Sequence, residues 1–269
     1  MNNGLALVWR GLGDERWNGF SHLLKAAAVL FLFVLSISST SADPLKISVD
    51  EAYPPYMYNR DSVAIGLYPE IVAAAFARVG RDISIDALPW KRALKLGEAG
   101  MGGIAGIYKN QERLLTYDYS TPLYEEKLVL YVKKGHVFDF STIADLKGKK
   151  VGLNFGWSYG DVIDSARKEQ LFSVDDSVKN NLANFRKLIG ERTDCVIVDE
   201  LAARRIISQQ GFDGLVEQLD TPVSVNAGYL VFSKTLKQKG LLDEFNKAMK
   251  QLRREGVYEK IVDSVIRKP

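Results

Sequence analysis

The chain reads as an α/β protein of two successive lobes. Strand-like and helix-like apolar patterns alternate along it, and the alternation restarts once near residue 145. Each alternating unit spans about 90 residues, the size of a small lobe. The composition is that of a globular protein, with 46% hydrophobic and 26% charged residues. A net charge of +3 gives no support to a nucleic-acid role. Cys195 is the single cysteine, so no internal disulfide can form, and its place in the apolar run Cys195-Val-Ile-Val198 suits a buried inert thiol.

The N-terminus has the pattern of an export signal. Lys25 precedes an apolar run from Ala26 to Ile37, and Thr40-Ser-Ala42 suits cleavage before Asp43. The run is shorter than the ~20 residues of a membrane span. An uncleaved anchor is the alternative. No cysteine follows the run to carry a lipid, so residues 1–42 are expected to be removed and the remainder to reach the periplasm.

The elements follow in order. Leu45 to Val49 alternates apolar and polar as a strand does. Tyr68, Ile71, Val72, Ala75, Phe76 and Val79 fall at helical spacing, and Gly80 closes that helix. Asp82 to Leu88 is a strand, and Pro89 opens a helix through Ala99 from its first turn. Gly103 to Tyr108 is a third strand, followed by a charged loop, a tight turn and a strand from Leu128 to Lys133. After the restart, strands are expected at Val151 to Asn154, near Phe172, and at Cys195 to Val198. Helices are expected from about Tyr159, over Leu182 to Ile189, and over Glu200 to Gln210. A strand from Val223 to Phe232 leads to an amphipathic helix with Leu241, Leu242, Phe245, Ala248, Met249 and Leu252 on one face. Gly256 breaks that helix before a last one from Val257 to Ile266. If these last elements return to the first lobe, lobe 1 is residues 43–132 plus 226–269, lobe 2 is residues 133–225, and the chain crosses twice, near Lys133 and Asn226.

The stretch from Trp90 to Tyr124 carries the most functional information. It sets Arg113 just beyond a glycine-containing strand end, near several aromatic residues. A guanidinium there can make two parallel bonds to a small carboxylate, which lysine cannot match. A surface arginine on a loop is the plainer reading. Gly106 lets backbone approach a ligand near a strand end. Asp199 ends a buried strand, where open α/β sheets present ligand groups, although an aspartate there also caps the helix that follows. Asn154 and Gly156-Trp157-Ser158 lie between a strand and a helix N-terminus. N–H groups and the Ser158 hydroxyl can bind an anion there, or Ser158 can simply cap the helix.

Several motifs fall in a telling order: Asp50-Glu-Ala-Tyr-Pro-Pro-Tyr56 with Gly66 and Glu70, Glu112-Arg113 before Tyr119-Ser-Thr-Pro-Leu-Tyr124, Asp145-Leu-Lys-Gly-Lys-Lys-Val-Gly152, Gly156-Trp-Ser-Tyr-Gly160, Thr193-Asp-Cys-Val-Ile-Val-Asp199 and Gly256-Val-Tyr258. Each is weak alone. Their order and spacing over residues 45–266 resemble the extracellular solute-binding proteins of ABC importers, in the family that mostly binds polar amino acids (solute-binding protein family 3). The resemblance implies a type II periplasmic-binding-protein fold, with two lobes joined by two crossing hinge strands and a ligand held in the cleft by hinge closure. It implies that Arg113 clamps a ligand carboxylate and that Asp199 holds an ammonium. It also implies that Tyr53 and Trp90 line the pocket with their rings and that Asp50 contacts the ligand side chain. For Tyr53 and Trp90 the competing role is core packing, and for Asp50 it is a cap. Tyr108 departs from the family, which usually has threonine or serine there, and so does Asn110. Tyr108 can fill part of the pocket or supply a phenolic donor. These departures bear on an α-amino-acid ligand more than on carboxylate binding through Arg113.

The expected function is therefore a monomeric periplasmic receptor without cofactor or metal, delivering a polar amino acid or related carboxylate to a membrane permease. Two alternatives are a periplasmic dehydratase on the same fold and a ligand sensor for a membrane kinase. Gly100, Gly102 and Ala105 fit a dinucleotide fingerprint only formally, since they follow a helix and open a strand. The histidines, His22 and His136, form no metal constellation.

Overall fold

The structure is a computed structural model that describes residues 43–266. The apolar run and cleavage site expected at the N-terminus lie outside the described residues. Among the described residues no helix is long and apolar enough to cross a membrane.

The first part of the chain runs β1 (Leu45–Asp50), β2 (Ala52–Tyr53), β3 (Met57–Arg60), β4 (Val63–Ile65), α1 (Leu67–Val79), β5 (Ile83–Leu88), α2 (Trp90–Glu98), β6 (Gly103–Tyr108), α3 (Gln111–Thr116), β7 (Tyr117–Tyr119) and β8 (Tyr124–Lys133). The second part runs β9 (Lys150–Asn154), α4 (Asp161–Lys168), β10 (Ser173–Val178), α5 (Asn181–Ile189), β11 (Cys195–Asp199), α6 (Glu200–Gln210), β12 (Val216–Gln218), β13 (Ser224–Ser233), α7 (Lys239–Arg254) and α8 (Val257–Ile266). The main sheet has the order β10-β9-β11-β8-β13-β6-β1-β5, with β12 on β8 and β7 on β13. Strands β2, β3 and β4 form a small separate sheet.

Two long strands organise this sheet. The first half of β8 pairs antiparallel with β13, from Tyr124 opposite Gly228 to Leu128 opposite Ser224. From Leu128 onward β8 pairs with β11 instead. Strand β13 likewise turns to β6 from Gly228 onward. A short two-stranded ribbon thus joins two sheet halves. The outer strands of each half, β1 with β5 and β6, and β9 with β10 and β11, pair in parallel, as helix-connected strands do.

The C-terminal helices pack on α1, where Phe76 meets Phe245 of α7 with ring centroids 5.2 Å apart. Both rings are fully buried, each worth about 1.5–3 kcal/mol of transfer free energy. A second core cluster joins Leu130, Val132, Leu146, Val151, Ile163 and Ile197. Cys195 belongs to it, and burial pushes its thiol up to about 12, so it is a packing residue.

Most expected elements are present, with differences at short or charged segments, among them the unexpected short strands β7 and β12. The charged loop after β6 contains helix α3, whose N-cap Asn110 accepts a bond from the Arg113 N–H at 2.8 Å. Six residues are too few to display a helical period. Strand β8 starts four residues before Leu128, because Glu125, Glu126 and Lys127 interrupt the apolar pattern without interrupting pairing. Pro89 stands at the N-cap of α2 with extended backbone, one residue before the first turn. The β2-β3-β4 sheet was not anticipated, its strands having only two to four residues.

Candidate binding cleft

A cavity opens where the ends of β1 and β6 face the β9–α4 connection. Asp50, Tyr53, Trp90, Gly106, Tyr108 and Arg113 line it from one sheet half, and Trp157 and Ser158 from the other. Met57, not anticipated from sequence, completes the wall. About 20 Å³ of free space remains, on the scale of a single water. The protein's own rings take up the rest, and Tyr53 meets Trp157 edge to face at 4.6 Å between centroids.

Asp50 ends β1 and is buried. Its Oδ1 accepts the Ala52 N–H at 2.9 Å, while Oδ2 is buried without a hydrogen-bond partner. Burial pushes its carboxyl up to about 7, against the opposing bond from the Ala52 N–H. An unpartnered carboxylate oxygen in an aromatic wall is costly unless a donor reaches it.

Gly106 has φ +80°, and a Cβ there would sit 2.6 Å from the Tyr68 ring and 2.8 Å from the Met57 sulfur. Two residues on, Tyr108 is also buried, and its hydroxyl donates to Glu126. Arg113, on α3, donates through Nη1 to the Tyr108 carbonyl at 3.0 Å. Burial lowers its pKa, opposed by the nearby Tyr119 and Asp164. Arg113, Trp157 and Ser158 also border an outer recess of about 380 Å³, lined further by Glu98, Glu112, Asp164 and Arg167. Arg113 therefore stands at the neck between the aromatic inner space and a charged mouth.

Polar contacts tie the two walls together. Asn110 Nδ2 donates to Ser158 Oγ at 3.0 Å, and the Gln111 N–H donates to Asp161 at 3.0 Å. The Lys91 ammonium lies 3.5 Å from the centroid of the Phe155 ring. Ser158 itself donates to Asp164, and Gly160, not Ser158, is the N-cap of α4. Deeper down, Tyr56 donates to Asp199 Oδ1 at 2.8 Å.

Asp199 and Asn154 do not line the cavity. Asp199 is buried as the N-cap of α6, accepting from the Leu201 and Ala202 N–H groups at 2.9 Å each, with Tyr56 as a third donor. Burial raises its carboxyl to about 6. Of its two competing roles, the geometry shows the cap. Asn154 is buried between Asn181 and Asn184, with its backbone N–H on the Tyr159 hydroxyl.

Sequence reasoning missed Glu126. It is fully buried in the ribbon strand β8 and accepts the hydroxyls of Tyr53, Tyr68 and Tyr108. The signal was available: with a period of two, residue 126 shares a face with Leu128, Leu130 and Val132, all buried. Among the described residues no cluster of His, Cys, Asp and Glu could hold a metal ion.

The sequence profile of the bacterial extracellular solute-binding proteins, family 3, matches residues 45–268. The arginine-binding extracellular protein ArtP of Bacillus subtilis is 24% identical, the match covering 89% of this chain and 94% of that protein. The ABC transporter arginine-binding protein 1 of Escherichia coli K12 is 25% identical, over 89% of this chain and 97% of that protein. Among solved structures, the arginine-, lysine-, histidine-binding protein ArtJ of Geobacillus stearothermophilus superposes with a TM-score of 0.68 at 21% identity, covering 84% of this chain and 96% of that one. At that identity the likeness speaks to the fold alone, and the fold it speaks to is the two-lobed one expected.

Proposed function

The chain belongs to the bacterial extracellular solute-binding proteins, family 3, and on that premise we propose a periplasmic receptor that captures a polar amino acid or related small carboxylate for an ABC importer. The observation that carries this reading is Arg113 at the neck of a cavity shared by Asp50, Tyr53, Trp90, Tyr108, Trp157 and Ser158. Arg113 takes the solute carboxylate as a bidentate partner. The Asp50 Oδ2 accepts from a donor at the solute's other end, and the aromatic rings cover its stem. Asp199 contributes by holding α6 and Tyr56 in place.

The lobes are residues 43–132 with 226–269 and residues 133–225, except that Leu128 to Val132, paired with β11 and packed with Leu146 and Val151, go with lobe 2. The pairing of β8 supports placing the hinge itself in the ribbon around Glu125 to Leu128. With about 20 Å³ free, a solute enters only when the ribbon flexes and separates Tyr53 from Trp157. The protein acts as a monomer, after export and cleavage following Ala42, and binds without turnover.

The test is a thermal-shift panel on purified protein, unfolded and refolded to strip carried-over solute. Arginine leads the panel because two relatives are named for it. Lysine, histidine, cystine and small dicarboxylates follow. A solute at 100 times its Kd stabilises the native state by ~2.7 kcal/mol. A shift with an amino acid or carboxylate supports the receptor reading, and silence across the panel removes it.

A further inference from the structure

Behind the cleft floor lies a cluster that carbonyl and helix-end chemistry does not explain. Glu126 is fully buried on β8, and none of its hydrogen bonds comes from a lysine, arginine or histidine. Three phenols converge on it from three elements: Tyr53 from β2 and Tyr108 from β6 on Oε2, and Tyr68 from α1 on Oε1. The fold makes room for this. A Cβ at Gly228 would lie 2.2 Å from the Tyr68 hydroxyl, and one at Gly106 would lie 2.6 Å from the Tyr68 ring. Two glycines thus let Tyr68 reach the carboxylate. Tyr53 and Tyr108, whose hydroxyls are 3.5 Å apart, are also cavity-lining residues.

We infer that Glu126 is a positioning residue of the cleft: as a carboxylate it ties up the Tyr53 and Tyr108 hydroxyls, and a proton on it frees one of them to donate to a bound solute. This rests on the receptor reading above. Counting donors shows why. An ionised carboxylate accepts all three O–H groups, so none points at the cleft. A protonated carboxyl must itself donate, and the nearest oxygens to its Oε2 are those of Tyr53 and Tyr108. The phenol that accepts turns its own O–H elsewhere, and the cleft is beside it. Tyr108 thereby becomes a switched donor beside Arg113.

The titratable groups facing Glu126 are Tyr53, Tyr56, Tyr68, Tyr108, Tyr124 and Asp199, the last at the end of β11. Burial first, then the Asp199 charge, hold the Glu126 carboxyl up at about 8 against the pull of the three hydroxyls. The proton exchange therefore falls in an accessible range.

The experiment compares the full chain with Glu126→Gln, whose neutral amide both donates and accepts as the protonated acid does. Near-UV circular dichroism from pH 6 to 9 reads the tyrosine packing without solute. Calorimetry over the same range reads the affinity for L-arginine and for succinate. A step in the wild-type spectrum, absent from Glu126→Gln, is expected. Above that step the wild-type affinity should fall about tenfold per pH unit, as the competent fraction falls. Glu126→Gln should lack that fall and keep only the dependence that the Asp50 carboxyl, raised to about 7, imposes on both proteins. A third protein, Tyr108→Phe, removes a hydroxyl that stabilises the carboxylate, so its step should move to higher pH. An identical step and slope in Glu126→Gln overturns the inference, as does a Tyr108→Phe step that stays put or moves down. If the step behaves as expected but the wild-type affinity is level across it, the link to solute is overturned. If neither probe binds at any pH while the step behaves, the receptor reading fails and the proton site stands without it.

Discussion

Arg113 brings five N–H donors to the neck of the cleft, and one of them bonds the Tyr108 carbonyl at 3.0 Å. That bond orients the guanidinium while leaving a fork for a carboxylate. Arg113→Ala should weaken binding of the captured solute by ~2–5 kcal/mol, the scale for truncating one member of a buried charge pair. Arg113→Lys should recover only part of this, since an ammonium cannot make the paired geometry. Titration calorimetry checks both, and unchanged affinity in Arg113→Ala would take Arg113 out of the site. Arg113 was legible through the ordered family motifs around Glu112-Arg113, since its local setting alone suits a surface arginine equally. Glu126 was not, because its meaning comes from three tyrosines 18 to 73 positions away in sequence.

Helix α6 begins where the functional and structural readings of one residue compete. Asp199 accepts two α6 N–H groups and the Tyr56 hydroxyl, so Asp199→Ala removes a helix cap and strands a buried phenol. The cap alone is worth about 0.5–2 kcal/mol. Urea denaturation should show Asp199→Ala losing at least that much. Asp199→Asn keeps an acceptor oxygen and should lose less. If solute affinity drops sharply in Asp199→Asn well below the Glu126 step, where Glu126 is protonated with or without the Asp199 charge, while stability holds, Asp199 reaches the ligand after all and the cap reading is insufficient. The longer elements were readable because their periods repeat: α7 buries Leu242, Phe245, Met249 and Leu252 on one face, and Gly80 ends α1 at φ 70°. Helix α3 and strands β2 to β4 are too short for any period to show, and tertiary contacts hold them. The N-terminal half of β8 hid behind three charged residues, because pairing with β13 uses backbone groups and is indifferent to side-chain polarity.

Across the whole molecule, buried acids set the pH dependence of stability. Burial raises Asp199 to about 6, Asp50 to about 7 and Glu126 to about 8. A group whose folded pKa exceeds its unfolded one holds more protons in the native state. Its stabilising contribution is complete below the unfolded value, near 4, and is lost as pH rises through the folded value. All three therefore weaken the native state as pH rises from about 4 toward 8. Asp175 has the opposite sign. Its bond to Lys187 holds it down at about 2, so its contribution is present above the usual carboxylate value and fades as pH falls toward 2. The two trends leave a stability maximum on the acid side of neutrality, near pH 4 to 5. Urea midpoints measured from pH 3 to 9 should rise to that maximum and then decline until about pH 8. Glu126→Gln should flatten the upper part of the decline, between pH 6 and 8, because that stretch belongs chiefly to Glu126 and Asp50. A maximum at pH 8 or above would mean that the three acids are ionised in the native state and that the hydrogen bonds they accept outweigh burial.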